Sequence, residues 1–359
     1  MTTRKENKVS LLDLPTELLY RICDFLDTKT IVRSIRHVCT QLFAVTESYN
    51  RYKIHVNSIA MKNICRIIPS ENILLLEIDD NNSVIIDIHR FQRLETLVLH
   101  RVDINEVKLI LRHVIKNCNL VTFSLDVNPL EDVDDLLNLI SKIILQSSLR
   151  QCILNFNLNN VERFLWPFPC RVTSLSIGTC TFEQFRSILD HSPDLHSLIM
   201  NNCWKIEINE SFLTKSYSQL HSLTLNDLKM TMDKLEYCLS LLPSLTHLDL
   251  TSSGKPFEFI HRLSRWEYFL RLKLPRLAHL EFCIFCYCCD WNHFDRMITA
   301  FRNPFWLEEK RWFVTCQFRD DWTSSFTVFT SSNPSTYHSP DNHHFDRIVC
   351  SNLITSEQQ

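Results

Sequence analysis

The stretch LHSLIM at residues 195–200 is followed by LHSLTL at residues 220–225 and by LTHLDL at residues 245–250. All three share one pattern, in which apolar residues occupy the first, fourth and sixth positions. The pattern occurs nine times, and successive copies start 21 to 32 residues apart. The nine copies begin at Ile73, Leu94, Leu120, Leu149, Val172, Leu195, Leu220, Leu245 and Leu277. This spacing predicts a stack of similar units, because one unit alone cannot bury its apolar side chains.

Each copy alternates like a β-strand, and the segments between copies carry the signals of helices. Side chains alternate between the two faces of a strand, so the fourth and sixth positions are expected to enter one core. Asp103 with Glu106, and Thr181 with Gln184, stand at the spacing of a helix capping box. We therefore predict an α/β fold whose strand-and-helix units place their strands side by side in a parallel sheet.

The ninth position of each copy adds a second pattern. It is Asn or Cys at Asn81, Asn128, Asn157, Cys180 and Cys203, and it departs at Val102, Leu228, Ser253 and Phe285. Together with the spacing of the copies, the Asn or Cys at the ninth position resembles the pattern of leucine-rich repeats. The resemblance implies a curved solenoid over residues 56–310, whose concave parallel sheet would bind a protein target. The expected target-binding positions are Val98, His100, Ser124, Asp126, Ile153, Asn155, Ile199, Asn201, Thr224, Asn226, Asp249 and Glu281.

The C-terminal residues 311–359 depart from the repeat. Residues 312–318, WFVTCQF, alternate like a strand, and SSFTVFT follows after a polar turn. Since the end of a stacked array needs a cap, we expect these two strands to form a closing hairpin. From Ser331 onwards the chain is rich in Ser, Pro, Asn and His, which indicates a mobile loop or tail.

The N-terminal part is also different, with a flexible start predicted at residues 1–8 and three short helices at residues 9–55. The first helix lies in LLDLPTELLYRICDFLD, residues 11–27, where Leu18, Ile22 and Phe25 share one helical face. Three helices of this size hold only a small core. The segment has more apolar positions than such a core can cover, and uncovered apolar surface on a small module indicates an interface.

This segment resembles an F-box, in which Leu-Pro, an acid and spaced apolar residues are followed by Val-Cys. The resemblance implies docking to the Skp-type adaptor of an SCF-type cullin–RING ubiquitin ligase. The implied adaptor-binding positions are Leu12, Leu14, Pro15, Glu17, Leu18, Ile22, Leu26, Val38 and Phe43. The chain departs from the family at Arg33, Arg36 and His37, where the family usually carries leucines.

Composition excludes several classes of protein. The formal net charge is −3, and no long basic run provides a nucleic-acid-binding surface. Only two glycines occur, Gly178 and Gly254, so the chain lacks the clustered glycines that cradle phosphates or a dinucleotide. Neither a secretory signal nor a membrane span is present, which predicts a cytoplasmic or nuclear protein. The fifteen cysteines are then expected to be reduced thiols.

Two clusters leave alternatives open. Cys283, Cys286, Cys288, Cys289 and His293 are either a zinc site or apolar thiols, and their spacing does not match a common zinc motif. His196, His221, His247 and His279 recur along the repeats, either as a ladder that binds metal or senses pH or as solvated residues. His196 and His221 occupy the second position of their copies, whereas His247 and His279 occupy the third position of theirs. We expect no metal site and no cofactor.

Three functions therefore compete. The first is a substrate-recognition subunit of a cullin–RING ubiquitin ligase, which binds an adaptor and a target protein without catalysing a reaction itself. The second is a leucine-rich-repeat interaction scaffold with no ligase role. The third is a metal-dependent or thiol enzyme, which the cysteine content keeps open. The sequence favours the first, in which the chain is not an enzyme.

Overall fold

The computed structural model describes residues 10–79, 87–127, 133–157, 166–201, 215–253, 262–287, 298–319, 325–331 and 347–351. The chain divides into two compact units, Met1–Phe156 and Asn157–Gln359. Each unit is α/β and most strand pairs are parallel, as the sequence predicts. Among the described helices, none is both long and apolar enough to cross a bilayer.

The first unit starts with three short helices and continues as strands that alternate with helices. The helices are α1 (Thr16–Asp24), α2 (Thr28–Arg33), α3 (Thr40–Ser48), α4 (Ile59–Ile67), α5 (Ile104–Asn117) and α6 (Val133–Ile144). The strands are β1 (Tyr52–Val56), β2 (Ile73–Asp79), β3 (Thr96–His100), β4 (Thr122–Asp126) and β5 (Gln151–Asn157). They lie side by side in chain order, and each pairs in parallel with the next.

The second unit continues the alternation and ends in antiparallel strands. Its helices are α7 (Phe182–His191), α8 (Met232–Ser240) and α9 (Leu263–Lys273), followed by a π-helical turn at Phe305–Glu309. Its strands are β6 (Ser174–Thr179), β7 (Ser197–Met200), β8 (Ser222–Leu225), β9 (His247–Ser253), β10 (His279–Tyr287), β11 (Phe313–Arg319), β12 (Ser325–Ser331) and β13 (Arg347–Cys350). Strands β6 to β10 are parallel, and β10, β12, β11 and β13 then follow one another as antiparallel neighbours.

The nine sequence copies supply strands β2 to β10. The first, fourth and sixth positions of every copy are buried, with at most 3% of any side chain exposed. Full burial of one such side chain contributes about 1.5–3 kcal/mol, so the repeated pattern accounts for much of the core. The remaining strand positions point to the opposite face, where most are partly exposed.

Two predicted helix starts are observed. At α7, Thr181 Oγ1 accepts the Gln184 backbone N–H at 3.2 Å, and Gln184 Oε1 accepts the Thr181 N–H at 2.9 Å, which completes the predicted capping box. At α5, Asp103 caps the helix by accepting the Asn105 N–H at 2.8 Å. The caps satisfy backbone donors that the first turn of a helix leaves unpaired.

Two details differ from the sequence prediction, and the predicted hairpin is present. Tyr52–Val56, mostly assigned to the helical N-terminal segment, is strand β1 and pairs with β2. The closing hairpin is present as β11 and β12, and β12 pairs with β10 as expected. However, Arg347–Cys350, placed in the mobile tail, forms strand β13 against β11. Residues 1–8 and 332–346, predicted to be mobile, lie outside the described residues.

An aromatic cluster lies next to the π-helical turn in the core of the second unit. The ring centroid of Trp306 lies 4.9 Å from that of Phe301, 5.3 Å from that of Phe305 and 5.9 Å from that of Trp312. The Trp306 indole N–H donates to Glu267 Oε1 at 2.7 Å, so its polar atom is satisfied although the side chain is buried. The cluster covers β10 through Phe282, whose ring meets that of Trp306 edge-on.

Candidate functional site

Helix α1 carries an apolar arc that its own module covers only on one side. Successive residues of an α-helix are about 100° apart, so Cys23, Leu19, Ile22, Leu18 and Phe25 follow one another around about 160° of α1. Cys23 and Leu19 are each 3% exposed, and Ile22 is half-buried. Leu18 is 42% exposed and Phe25 is 90% exposed. Apolar surface therefore continues from the core onto the outside of the module.

The covered side of the module is small. Leu19, Leu42 and Val45 form its buried core, and partly buried residues pack against them. Those partly buried residues are Leu14, Tyr20, Ile22, Ile35 and Cys39. A core of this size cannot hide every apolar side chain of the segment.

The opposite side of the module is attached to the rest of the first unit. The Thr28 hydroxyl donates to the Lys53 carbonyl at 2.5 Å, and Tyr52 donates to the Thr46 carbonyl at 2.7 Å. Ile31 and Val32 are 1% and 3% exposed. These two α2 side chains thus belong to the protein's own core.

The nine predicted adaptor-binding positions fall into two groups. Six are exposed: Leu12, Pro15, Glu17, Leu18, Val38 and Phe43. The other three, Leu14, Ile22 and Leu26, are half-buried. Val38 is 68% exposed, which is more than a bulky apolar side chain of a folded core would show.

Two exposed side chains are absent from the predicted adaptor-binding positions. Leu11 is 48% exposed, and Phe25 is the most exposed large apolar residue described. The helical spacing from Leu18 to Phe25 is the signal that could have added Phe25. Of the thirteen large apolar residues that are exposed in the described part of the chain, six lie between Leu11 and Phe43. We call these six the N-terminal apolar face: Leu11, Leu12, Leu18, Phe25, Val38 and Phe43.

Contacts hold this face in a fixed arrangement. The Gln41 side-chain amide donates to the Leu12 carbonyl at 2.9 Å, which joins the N-terminal 3₁₀ turn to α3. Arg36 pairs with Glu47 at 2.5 Å and lies over the Phe43 ring, 4.8 Å from its centroid. Arg36, a departure from the F-box pattern, therefore positions Phe43 from within the chain.

The predicted target-binding positions form two rows of neighbouring residues on the strand faces opposite the core. In the first unit, Val98, Ser124 and Ile153 are register partners on β3, β4 and β5. In the second unit the row is Ile199, Thr224, Asp249 and Glu281, which are register partners on β7, β8, β9 and β10. Ser124 differs from the prediction because it is buried, with 5% of its surface exposed.

The remaining positions lie beside these rows. His100 and Asp126 are register partners, with Nδ1 and Oδ2 3.8 Å apart. Asn226 donates to the Asn201 side-chain carbonyl at 2.8 Å, so the two amides link the ends of β7 and β8. Asn155 is exposed on β5.

The two rows differ in charge. Next to the first row, Arg101 pairs with Asp79 at 2.9 Å, and His55 pairs with Glu77. In the second row, Asp249 lies directly opposite Glu281 on the adjacent strand. Burial, together with the charge of Glu281, raises the pKa of the Asp249 carboxyl above its ordinary value. Like charges in this arrangement repel, and a cation from a partner would relieve the repulsion.

The four recurring histidines form two separate stacks. The rings of His196 and His221 are 5.5 Å apart, and those of His247 and His279 are 4.5 Å apart. These are the two pairs that the register predicts. Among the residues the structure describes, no group of three or more His, Cys, Asp or Glu side chains is arranged to hold a metal ion.

The described cysteines have the environment of structural thiols. The ten cysteines whose side chains the structure describes form no disulfide, and eight of them are buried. Burial raises the pKa of the Cys23, Cys65, Cys118 and Cys170 thiols, so they stay protonated and weakly nucleophilic at neutral pH. Cys283 is half-buried. Cys288, Cys289 and His293 of the possible zinc cluster lie outside the described residues.

Comparison with known proteins gives no family for the chain. No protein-family model matches this sequence, and no curated protein matches it significantly.

Proposed function

We propose that this protein is the substrate-recognition subunit of a cullin–RING ubiquitin ligase, with an F-box that docks a Skp-type adaptor. In this proposal the strands and helices that follow are leucine-rich repeats, stacked in a curved solenoid that binds the target protein. Catalysis belongs to the ligase, and this chain contributes proximity between the target and a ubiquitin-charged enzyme. Ten cysteines that form no disulfide in the described part of the chain support a reducing compartment, the cytosol or the nucleus.

The observation that carries the proposal is the N-terminal apolar face. Leu18, Phe25 and Val38 are exposed while the other side of the module is packed and hydrogen-bonded. A helix with an exposed apolar side suits recognition in which the helix lies in a groove of its partner. Phe25 and Phe43 provide aromatic anchors of the kind that dominate such interfaces.

The target is proposed to lie on the strand rows. The row that ends in Asp249 and Glu281 presents two adjacent carboxylates, and Ile199 and Thr224 extend it with apolar and neutral contacts. This combination supports a protein ligand with a basic side chain over the acidic end of the row.

The adaptor interaction is tested with Leu18→Asp combined with Val38→Asp. Both side chains are exposed, so the double variant is expected to fold, whereas Ile22→Asp would disturb the module core. We expect its affinity for a purified Skp-type adaptor to fall at least about 100-fold, because charges replace two central apolar contacts. Isothermal titration calorimetry measures the change, and circular dichroism confirms the fold.

The matched control is Leu145→Asp combined with Leu272→Asp. These leucines are 44% and 57% exposed, lie at the C-terminal end of α6 and on α9, and do not belong to the N-terminal apolar face. The control should bind the adaptor like the wild type. If the wild type does not bind, or if the two double variants bind equally well, the proposal is wrong and the scaffold without a ligase role takes its place.

A further inference from the structure

A cleft of about 940 Å³ lies within the first unit, apart from both the N-terminal apolar face and the strand rows. It is bounded by the C-terminal end of α4, the 3₁₀ turn Ile88–Arg90 and one face of α5. Its volume is in the range of sites that enclose a small organic molecule. The cleft faces the helices of this unit, so a ligand there would not compete for the strand faces.

Apolar side chains form much of the cleft wall. Ile78, Phe91, Val102 and Ile110 line it from β2, from the segment after the 3₁₀ turn, from the end of β3 and from α5. Leu109 stands at the edge and is 61% exposed. An apolar body placed in the cleft would remove the exposed surface of Leu109 from water.

The charged side chains around the cleft are mainly cationic. Arg66, Arg90, Arg112 and Lys116 contribute positive charge, against the acids Asp87 and Glu106. Arg112 also pairs with Asp135 of α6 at 2.7 Å. Arg66 and Lys116 are exposed at the ends of their helices, where their side chains can reach a ligand without being buried themselves.

The buried histidine of the wall, His113, is already satisfied. His113 Nε2 lies 3.3 Å from the Phe91 carbonyl, to which it donates, and this leaves Nδ1 as an acceptor for the Asn117 amide at 2.9 Å. The ring of His89 meets that of His113 edge-on at 4.9 Å. The wall therefore needs no further polar ligand atom at His113, and the cations at the edge are the groups available to a charged ligand.

We propose that this cleft binds a small amphipathic organic anion. Its apolar body lies against Phe91, Val102 and Ile110, and its acidic group lies near Arg66 and Lys116. Charge complementarity selects an anion over a cation or a neutral molecule of the same length. The proposal is independent of adaptor binding, because the cleft shares no residue with the N-terminal apolar face.

The test uses the fluorescent amphipathic anion anilinonaphthalenesulfonate as the probe and the full-length folded protein. We expect dodecanoate to displace the probe, while dodecanol and dodecyltrimethylammonium displace it at least about tenfold less well, since they have the same tail without the negative charge. Arg66→Glu combined with Lys116→Glu should weaken binding of the probe and of dodecanoate by at least about tenfold.

The control for the change in total charge is Lys29→Glu combined with Lys273→Glu. Both lysines are exposed, on α2 and on α9, and neither lines the cleft. This control should bind the probe like the wild type. Equal displacement by the three dodecyl compounds, full affinity in the Arg66→Glu, Lys116→Glu variant, or no probe binding by the wild type would each overturn the proposal.

Discussion

Tyr49 shows at the scale of one residue how the N-terminal module is joined to the strand that follows. Its side chain is 2% exposed, its hydroxyl donates to Asp24 Oδ1 at 2.8 Å, and its ring meets that of Tyr52 edge-on. Burial, and then the hydrogen bond to Asp24, raise the pKa of the Tyr49 hydroxyl above its ordinary value of 10.0. A phenol with a raised folded-state pKa contributes stability below its unfolded pKa, and that stability is lost as the pH rises towards the folded value.

We therefore expect Tyr49→Phe to have two effects. Loss of the hydrogen bond should lower the free energy of unfolding by about 1 kcal/mol at pH 8. Above about pH 10 the variant should lose less stability than the wild type, because one buried group no longer has to ionise. Urea unfolding followed by circular dichroism at both pH values measures this. If the free energy of unfolding depended on pH in the same way in both proteins, the raised pKa of the Tyr49 hydroxyl would be contradicted.

Phe25 and Ser124 mark how far single residues could be predicted. Helical spacing alone places Phe25 on the face of Leu18, and it is 90% exposed there. Strand alternation places Ser124 on the open face, yet it is buried. Its register partners on the two adjacent strands, Val98 and Ile153, carry larger side chains. Periodicity gives the direction of a side chain, whereas its burial depends on neighbours that are distant in sequence.

At the scale of the element, two helices that are both preceded by a threonine at the N-cap position offer a matched comparison. Thr181 caps α7 through a reciprocal capping box, whereas Thr231 precedes α8 without a side-chain cap hydrogen bond. Thr181→Ala should lower the free energy of unfolding by about 1 kcal/mol, and Thr231→Ala should lower it by clearly less. Urea unfolding of the two variants gives the comparison. Equal losses would show that the capping box does not stabilise α7.

The strands of the repeats were predictable because each copy marks its own core positions. Strands β2 to β10 all arise from the same apolar spacing, and every marked position is buried. Strands β1 and β13 lack that spacing, and their pairing with β2 and β11 depends on neighbours already in place. The π-helical turn at Phe305–Glu309 places the rings of Phe305 and Trp306 edge-on to each other in the aromatic cluster. The sequence around it carries no periodic signal.

At the scale of the whole molecule, the burial of the cysteines predicts the order in which they react with an alkylating reagent. Buried thiols are shielded from reagents, and the pKa of several of them is raised by burial. Alkylation of the native protein with iodoacetamide should therefore modify Cys39 and Cys283 before the eight buried cysteines, and urea should abolish the difference. Peptide mass spectrometry measures the order. Rapid modification of Cys118 or Cys170 in the native protein would reopen the thiol-enzyme hypothesis.

The aromatic cluster of the second unit also determines what optical spectroscopy can observe. All seven tryptophans of the sequence lie within residues 157–359, and Trp266 and Trp306 are fully buried there. The first unit contains tyrosines and no tryptophan. Selectively excited indole emission consequently reports the melting of residues 157–359 alone, whereas the far-ultraviolet signal reports both units. A mismatch between the two melting curves would measure, without any label, how independently the halves of the chain unfold.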